Sequence, residues 1–395
     1  MTDQPLLKPY ALHDLLLPNR VVMAPMTRSR ADNPENAATD LHAAYYAQRA
    51  TAGLLVTEGS PVSPQGVGYI NVPGLHSAAQ VAGWRGVTEA VHRADGRIFA
   101  QLWHVGALSH PDLQPGGVLP VAPSAINPED RCFTHRGHTP TVRPRALGTD
   151  EVVETVDQFR RAAANAVLAG FDGVEVHGAN GYLFSQFFAR SMNRRTDRYG
   201  GSIENRARFL LEVVDAIATE IPAHRVGVRL NPALHRLGGV LVDEETLPLF
   251  EYVVRELDSR GLAYLHLLEP INPTEGLPLP ARSIAEHFRP LWSGPLISAT
   301  DHTRAGGNRL VAAGTADLVA FGRAFIANPD LVARFRTGAP LTVPERATFY
   351  SGGARGYTDY PTLGEDGGLV TVAGDDAVGS RYSEARAQMR TTWST

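Results

Sequence analysis

Phe171-Asp-Gly-Val-Glu-Val-His-Gly-Ala-Asn-Gly-Tyr182 is the stretch on which the fold of this chain turns. Val174 and Val176, with the flanking Gly173, read as a short buried strand. His177, Asn180 and Tyr182 then follow within six residues of its end. At the C-terminal mouth of a parallel α/β barrel, that is where chemistry is normally placed. Two neutral donors can hold a carbonyl oxygen, and a phenol can hand over a proton. The plainer reading is three polar residues in a turn, and the rest of the chain decides between the two.

Working outward, short apolar runs alternate with longer amphipathic ones. Strands are expected at Arg20–Ala24, Gly53–Glu58, Arg97–Trp103, Gly173–His177, Arg225–Leu230, Ala263–Leu268, Pro295–Ala299 and Ala316–Phe321. Helical patterns lie between them, among them Asp40–Thr51, Ser77–Arg93, Asp150–Ala169, Ser202–Thr219, Glu244–Arg260, Thr303–Ala313 and Pro329–Phe335. Several open on a capping residue and stop at a glycine such as Gly170 or Gly261. Eight strand–helix pairs are the count of a (β/α)8 TIM barrel. A doubly wound open sheet is the alternative; no Gly-x-Gly-x-x-Gly turn follows the first strand, which disfavours it.

Three segments stand outside the repeat. Residues 1–18 precede the first strand and are placed to close the barrel bottom. Residues 104–149 form a long excursion after strand three, rich in Pro, Gly and His, on the face where substrate pockets are built. Residues 361–395 are a C-terminal tail of unknown role, read as a flexible or subunit-contacting segment. Residues 1–360 are therefore expected to form a single barrel domain.

Composition narrows the function. The chain has 395 residues, is 43% hydrophobic and has a formal net charge of −4, so no polyanionic partner such as nucleic acid is implied. The single cysteine, Cys132, excludes an intramolecular disulfide and a cysteine-based metal cluster. No apolar run approaches the ~20 residues that span a bilayer. The first residues show no secretory pattern, and a cytoplasmic protein acting on small molecules, as monomer or homodimer and without a metal, is the expectation.

Ordered motifs then make the match specific. They are Asn19-Arg-Val-Val-Met-Ala-Pro-Met-Thr-Arg28, Thr57-Glu-Gly59, Gln101-Leu-Trp-His-Val-Gly106, His177-Gly-Ala-Asn-Gly-Tyr182, Arg195-Thr-Asp-Arg-Tyr-Gly-Gly201, Glu204-Asn-Arg206, Phe321-Gly-Arg323 and Gly356-Tyr-Thr-Asp-Tyr-Pro361. With these the chain resembles the Old Yellow Enzyme family of FMN-dependent ene-reductases over about residues 6–360. The resemblance implies FMN as cofactor and NADPH or NADH as reductant. It places Pro25, Met26 and Thr27 along one edge of the flavin, with the Thr27 hydroxyl near its C4 carbonyl. Gln101 takes the pyrimidine edge, since an amide offers donor and acceptor together. Arg229 faces the N1/C2=O locus; a buried arginine is costly without an anionic partner. Gly59, Ala299, Thr300, Gly322 and Arg323 complete the implied cofactor set. His177 and Asn180 bind the carbonyl oxygen of an unsaturated substrate and stabilise charge developing there. Tyr182 protonates the α-carbon, and Tyr69, Trp103 and Tyr350 line the pocket. Enones, enals, maleimides and quinones are the implied substrates. The plainer readings are a strand end for Thr27, a structural salt bridge for Arg229, and a pocket wall or core for the aromatic residues.

The sequence also departs from the family. Ile297-Ser-Ala-Thr-Asp301 stands where relatives commonly carry Ala-Gly-Gly at the phosphate-binding turn. Thr300 adds bulk and Asp301 a negative charge near a dianion, worth ~4 kcal/mol of repulsion at about 4 Å and an effective dielectric of ~20. Arg323 offsets part of this, and an Asp301 turned outward to cap the helix near Thr303 would remove more. Ala107 replaces a common arginine, and Asn231-Pro-Ala-Leu-His-Arg replaces the usual turn after strand five. The basic residues of the excursion, Arg131, His135, Arg136, His138 and Arg143, read either as a site for an anion or as a solvated face. His104 reads as packed, and nothing marks Cys132 as a nucleophile. Two rival functions follow from the departures. One is an isomerase or cyclase using the His177/Asn180 clamp and Tyr182 without net reduction, its FMN binding weakened or lost. The other is a non-catalytic flavin- or ligand-binding barrel, against which the retained Thr27, Gln101, His177, Asn180, Tyr182 and Arg229 argue.

Overall fold

The structure, a computed structural model, describes residues 4–270 and 272–364. Eight parallel strands close into a barrel: β1 (Val21–Met23), β2 (Leu54–Pro61), β3 (Ile98–Trp103), β4 (Gly173–Gly178), β5 (Val226–Leu230), β6 (Tyr264–Leu268), β7 (Leu296–Ala299) and β8 (Leu318–Phe321). All eight fall where the apolar runs put them; β2 departs most, continuing past Glu58 to Pro61. Pairing of Val319 with Val21 and of Ala320 with Val22 closes the ring. Every residue of β3, β4, β5 and β6 is buried. Strands covered on both faces need no polar alternation, which is why they read as continuous apolar runs.

Ten helices follow among the described residues: α1 (Asp40–Ala47), α2 (Ala78–Arg93), α3 (Thr149–Leu168), α4 (Leu183–Phe188), α5 (Ile203–Ile217), α6 (Thr246–Asp258), α7 (Ile284–Phe288), α8 (Arg304–Ala312), α9 (Arg323–Ala327) and α10 (Leu331–Thr337). Local chemistry sets their starts. The Ser77 hydroxyl accepts from Gln80 N at 3.3 Å, and the Gln80 side chain accepts from Ser77 N at 3.3 Å, a reciprocal cap worth about 1 kcal/mol. The seven helical patterns read from the sequence correspond to α1, α2, α3, α5, α6, α8 and α10.

The bottom of the barrel is closed by a hairpin, Tyr10–Leu12 against Leu15–Leu17. Leu12, Leu15 and Leu17 pack with the inward-facing Val22, Leu54, Phe99, Tyr264, Ile297 and Leu318. Each such leucine contributes roughly 1.5–3 kcal/mol of burial. The position expected for residues 1–18 is thus observed over the part described.

Two segments frame the opposite end. The excursion carries a hairpin, Arg131–Thr134 with Gly137–Pro140, which pairs by one bridge with Tyr69 and accepts from Ile70 N through Phe133 O at 3.2 Å. The last part of the described chain is pinned by buried arginines. Arg28 donates to Phe349 O and Gly356 O at 3.1 and 2.7 Å, and Tyr357 stacks on Tyr45 with centroids 3.9 Å apart. The tail expected over 361–395 lies, from residue 365 onward, outside the described residues. Among the described residues no helix is long and apolar enough to cross a membrane, and no group of three His, Cys, Asp or Glu side chains could hold a metal.

Candidate active site

The end of β4 delivers three polar side chains to the barrel mouth. His177 is buried, and its Nδ1 has no hydrogen-bond partner. Burial, followed by the nearby charge of Arg229, holds its pKa well below the usual imidazole range, so the ring is a neutral donor. Asn180 occupies the left-handed region at φ 59°, where a short amide is tolerated, and its Oδ1 is also buried without a partner. Tyr182 precedes α4 and stands edge-on to His177, ring centroids 5.1 Å apart. Its phenol is hydrogen-bonded to that of Tyr69 and faces Trp103 edge-on at 5.0 Å. Burial, then Tyr69, pushes the Tyr182 pKa well above 10, so the proton stays on.

The turn is held by α4, which the sequence reading did not find. Gln186 on this helix donates to Val105 O at 3.0 Å and Gly181 O at 2.8 Å and accepts from Ala107 N at 3.0 Å. One buried amide thereby ties the loop after β3 to the turn that carries Tyr182. All six residues of α4 are buried, so it lacks the polar face that marks a helix in sequence.

Around these residues the other strand ends gather the expected cofactor set. Pro25, Met26 and Thr27 follow β1 and are half-buried. Gly322 after β8 lies beside them: a Cβ there would come 3.5 Å from the Met26 sulfur. Gly59 must be glycine, because a Cβ would stand 2.7 Å from the Trp103 indole. Gln101 is buried on β3. Arg229 is buried on β5 beside His177 in register, its Nε has no partner, and no carboxylate forms a salt bridge with it among the described residues.

Sequence reasoning missed the layer beneath. Glu175 accepts from Gln101 Nε2 at 2.7 Å, Tyr264 OH at 3.1 Å and His266 Nδ1 at 2.8 Å, and all of these groups are buried. The sequence signal was there: three polar residues inside otherwise apolar strands β4 and β6.

The β7–β8 rim carries the departure. Ala299 ends β7 and is buried, whereas Thr300 and Asp301 adopt φ 95° and 52°. These are conformations that suit glycine, and a β-branched residue there is a genuine outlier. Asp301 does not cap the next helix, correcting that expectation. Thr303 caps α8, accepting from Gly306 N at 3.0 Å, and Asp301 Oδ1 instead lies 3.9 Å from Arg323 Nη1. The half-exposed cation outcompetes a helix end for the carboxylate because it carries a full charge.

The remaining expected residues are placed as follows. Tyr69 stacks on Trp103 at 5.7 Å. Tyr350 is 46% exposed and meets the site only from the rim, tilted against Phe133 of the hairpin at 6.4 Å. In the excursion Arg136 pairs with Asp112, Arg143 donates to Ala125 O at 2.8 Å and His138 packs on Phe133. His104 is packed as expected: burial pushes it down to about 3, and its Nδ1 accepts from Gly106 N at 3.1 Å. Cys132 is buried and pushed up to about 11, an inert thiol.

Comparisons with known proteins show the family and the fold. Residues 5–342 match the model of the NADH:flavin oxidoreductase / NADH oxidase family. The chain is 45% identical over 367 residues to 12-oxophytodienoate reductase 1 of Oryza sativa subsp. japonica, covering 91% of this chain and 94% of the relative. Among solved structures, morphinone reductase in complex with tetrahydroNAD superposes with a TM-score of 0.86 at 49% identity, covering 93% of this chain and 100% of that one. The old yellow enzyme homologue from Zymomonas mobilis also gives 0.86, at 38% identity, covering 91% and 99%.

Proposed function

The chain belongs to the NADH:flavin oxidoreductase / NADH oxidase family, the Old Yellow Enzyme group that its motifs resemble, and from that premise we propose that it reduces activated carbon–carbon double bonds with NADPH or NADH through resident FMN. One observation carries the reading. Buried polar atoms of Trp103, His177, Asn180 and Arg229 lack partners, and three of these four residues lie on β3 to β5 with Asn180 just beyond. Unpaired buried polar groups are expensive, and a set of them at one barrel mouth is the imprint of a bound polar ligand.

The residues present fit FMN. Arg229 supplies a buried cation whose Nε has no hydrogen-bond partner and which forms no salt bridge among the described residues, as an electron-rich ring edge requires. Gln101 supplies an oriented amide, Gly322 leaves backbone open beside Met26, and Gly59 lets the Trp103 indole pack close under the mouth. Pro25, Met26, Thr27, Ala299, Thr300 and Arg323 are the further contacts we assign to it. When bound, FMN supplies hydride transfer from the nicotinamide to the β-carbon of the acceptor.

The protein's own groups do the rest. His177 and Asn180 converge on the carbonyl oxygen of the acceptor, polarise its double bond and stabilise charge that builds on that oxygen. Both are neutral, so neither draws the negative charge into a salt bridge that would slow product release. Tyr182 keeps its proton in the resting site and gives it to the α-carbon. Tyr69, hydrogen-bonded to Tyr182, orients that phenol, while Trp103 and Tyr350 wall the pocket. The nicotinamide and the acceptor use the same opening in turn, a ping-pong order. A relative solved in complex with tetrahydroNAD supports nicotinamide as the reductant.

We further assign residues 1–360 to one catalytic barrel with 104–149 over its mouth, working in the cytoplasm as monomer or homodimer on small molecules. Near-balanced charge supports a small-molecule substrate over a polyanion. The test is stoichiometry: the purified chain should consume one NAD(P)H per enone reduced. Enone turnover with no loss of NAD(P)H would replace this reading with the isomerase or cyclase.

A further inference from the structure

Beneath the mouth, Glu175 is fully buried and accepts hydrogen bonds from Gln101, Tyr264 and His266 at 2.7, 3.1 and 2.8 Å. The donors come from β3 and β6, on opposite sides of β4 and β5. Tyr264 reaches across β5 because residue 227 is glycine; a Cβ there would stand 2.3 Å from its ring. A carboxylate offers about four lone-pair sites, and three are filled here. Burial pushes the Glu175 pKa up, but His266, Arg229 and the Gln101 bond outweigh it and hold the carboxyl below its ordinary range. Burial keeps His266 below the imidazole range against the pull of Glu175. The His266 Nδ1 faces the carboxylate, and its Nε2 has no hydrogen-bond partner and lies next in register to Arg229.

This arrangement has two consequences for the layer above. The Gln101 amide cannot flip, since flipping would set its carbonyl oxygen against the carboxylate at hydrogen-bond distance. The buried carboxylate of Glu175 also acts on Arg229 through space and offsets part of its charge.

We propose that Glu175 and His266 are a positioning pair that locks Gln101 in one orientation and offsets Arg229, and so sets how strongly the site favours reduced over oxidised flavin. The proposal rests on the FMN reading. Two-electron reduction by hydride adds negative charge to the ring, so a carboxylate below it disfavours that form and its removal favours it.

Glu175→Gln tests this directly, being close to isosteric and keeping a carbonyl acceptor for Gln101. The affinities of the full chain for oxidised and for reduced FMN are measured by titration, together with the midpoint potential. Oxidised FMN should bind within about threefold of the unaltered chain and reduced FMN about tenfold tighter, a rise of ~30 mV for a two-electron couple. A carboxylate that only supports the fold would change both affinities alike, and an unmoved ratio overturns the proposal. Should Glu175→Gln not fold, His266→Leu and His266→Asn replace it. The asparagine amide keeps a donor where Nδ1 stood and leucine has none. Leucine should move the ratio of reduced to oxidised FMN affinity about tenfold and asparagine should restore it; equal ratios for the two overturn the pair. An unaltered chain that takes up no FMN removes the cofactor reading and this proposal together. FMN uptake with unmoved ratios removes the pair alone.

Discussion

The carboxylate of Asp301 stands 3.9 Å from the guanidinium of Arg323, so the cation at the β8 end faces an anion of its own chain. Loops after the seventh and eighth strands of such barrels commonly bind phosphate. A phosphate entering here must displace this pairing and tolerate the carboxylate beside it.

Replacing Asp301 with glycine should therefore tighten FMN. The half-exposed position screens the full Coulomb term to roughly 1 kcal/mol, about a fivefold gain in affinity. Thr300→Gly should add thermal stability without FMN, because φ 95° strains threonine and not glycine. Titration of flavin fluorescence and a melting curve check the two effects. Unchanged or weaker affinity in Asp301→Gly would show that the carboxylate does not compete with the phosphate.

Tyr182→Phe separates the two halves of the catalytic cycle. The variant keeps the ring that packs edge-on to His177 and Trp103 and loses the hydroxyl, with its proton and its bond to Tyr69. Reduction by NADPH should proceed at the ordinary rate. Enone turnover should fall about 10²–10⁴-fold, the usual worth of a positioned acid. Stopped-flow traces of each half-reaction check this; undiminished enone turnover would remove Tyr182 as the proton donor.

Stability should fall on acidification below neutral pH. His42 and His104 are fully buried, and burial pushes them down to about 4 and about 3. Their folded-state values lie below the unfolded value near 6.5, so the unfolded chain takes up protons first. Stability is complete above pH ~6.5 and is lost as pH falls toward the folded values, by about 1.4 kcal/mol per pH unit for each histidine. Urea midpoints at pH 7 and pH 5 check the slope. A flat profile would mean that these rings are not buried in the neutral form.

Much of this was legible in the sequence, and what was not has physical causes. The barrel strands announce themselves because both faces are buried, leaving apolar runs that only a few residue types can fill. His177, Asn180 and Tyr182 could be read because they follow such a run directly. Glu175 sits inside that run, and its meaning depends on partners brought 74 and 91 residues along the chain by barrel closure. Helix α4 hides because burial on all sides erases its periodicity. A cap by Asp301 could be weighed from the sequence because capping is local; how near Arg323 lies, 3.9 Å away, follows only from the pairing of β7 and β8.

The most direct test of the central claim is the visible spectrum of the purified chain under anaerobic conditions, followed through NADPH and then 2-cyclohexenone. The account predicts flavin bands that bleach on NADPH and return on the enone, with the enone's double bond reduced. A colourless chain that takes up no added FMN, or bands that bleach and do not return with any enone, would contradict it.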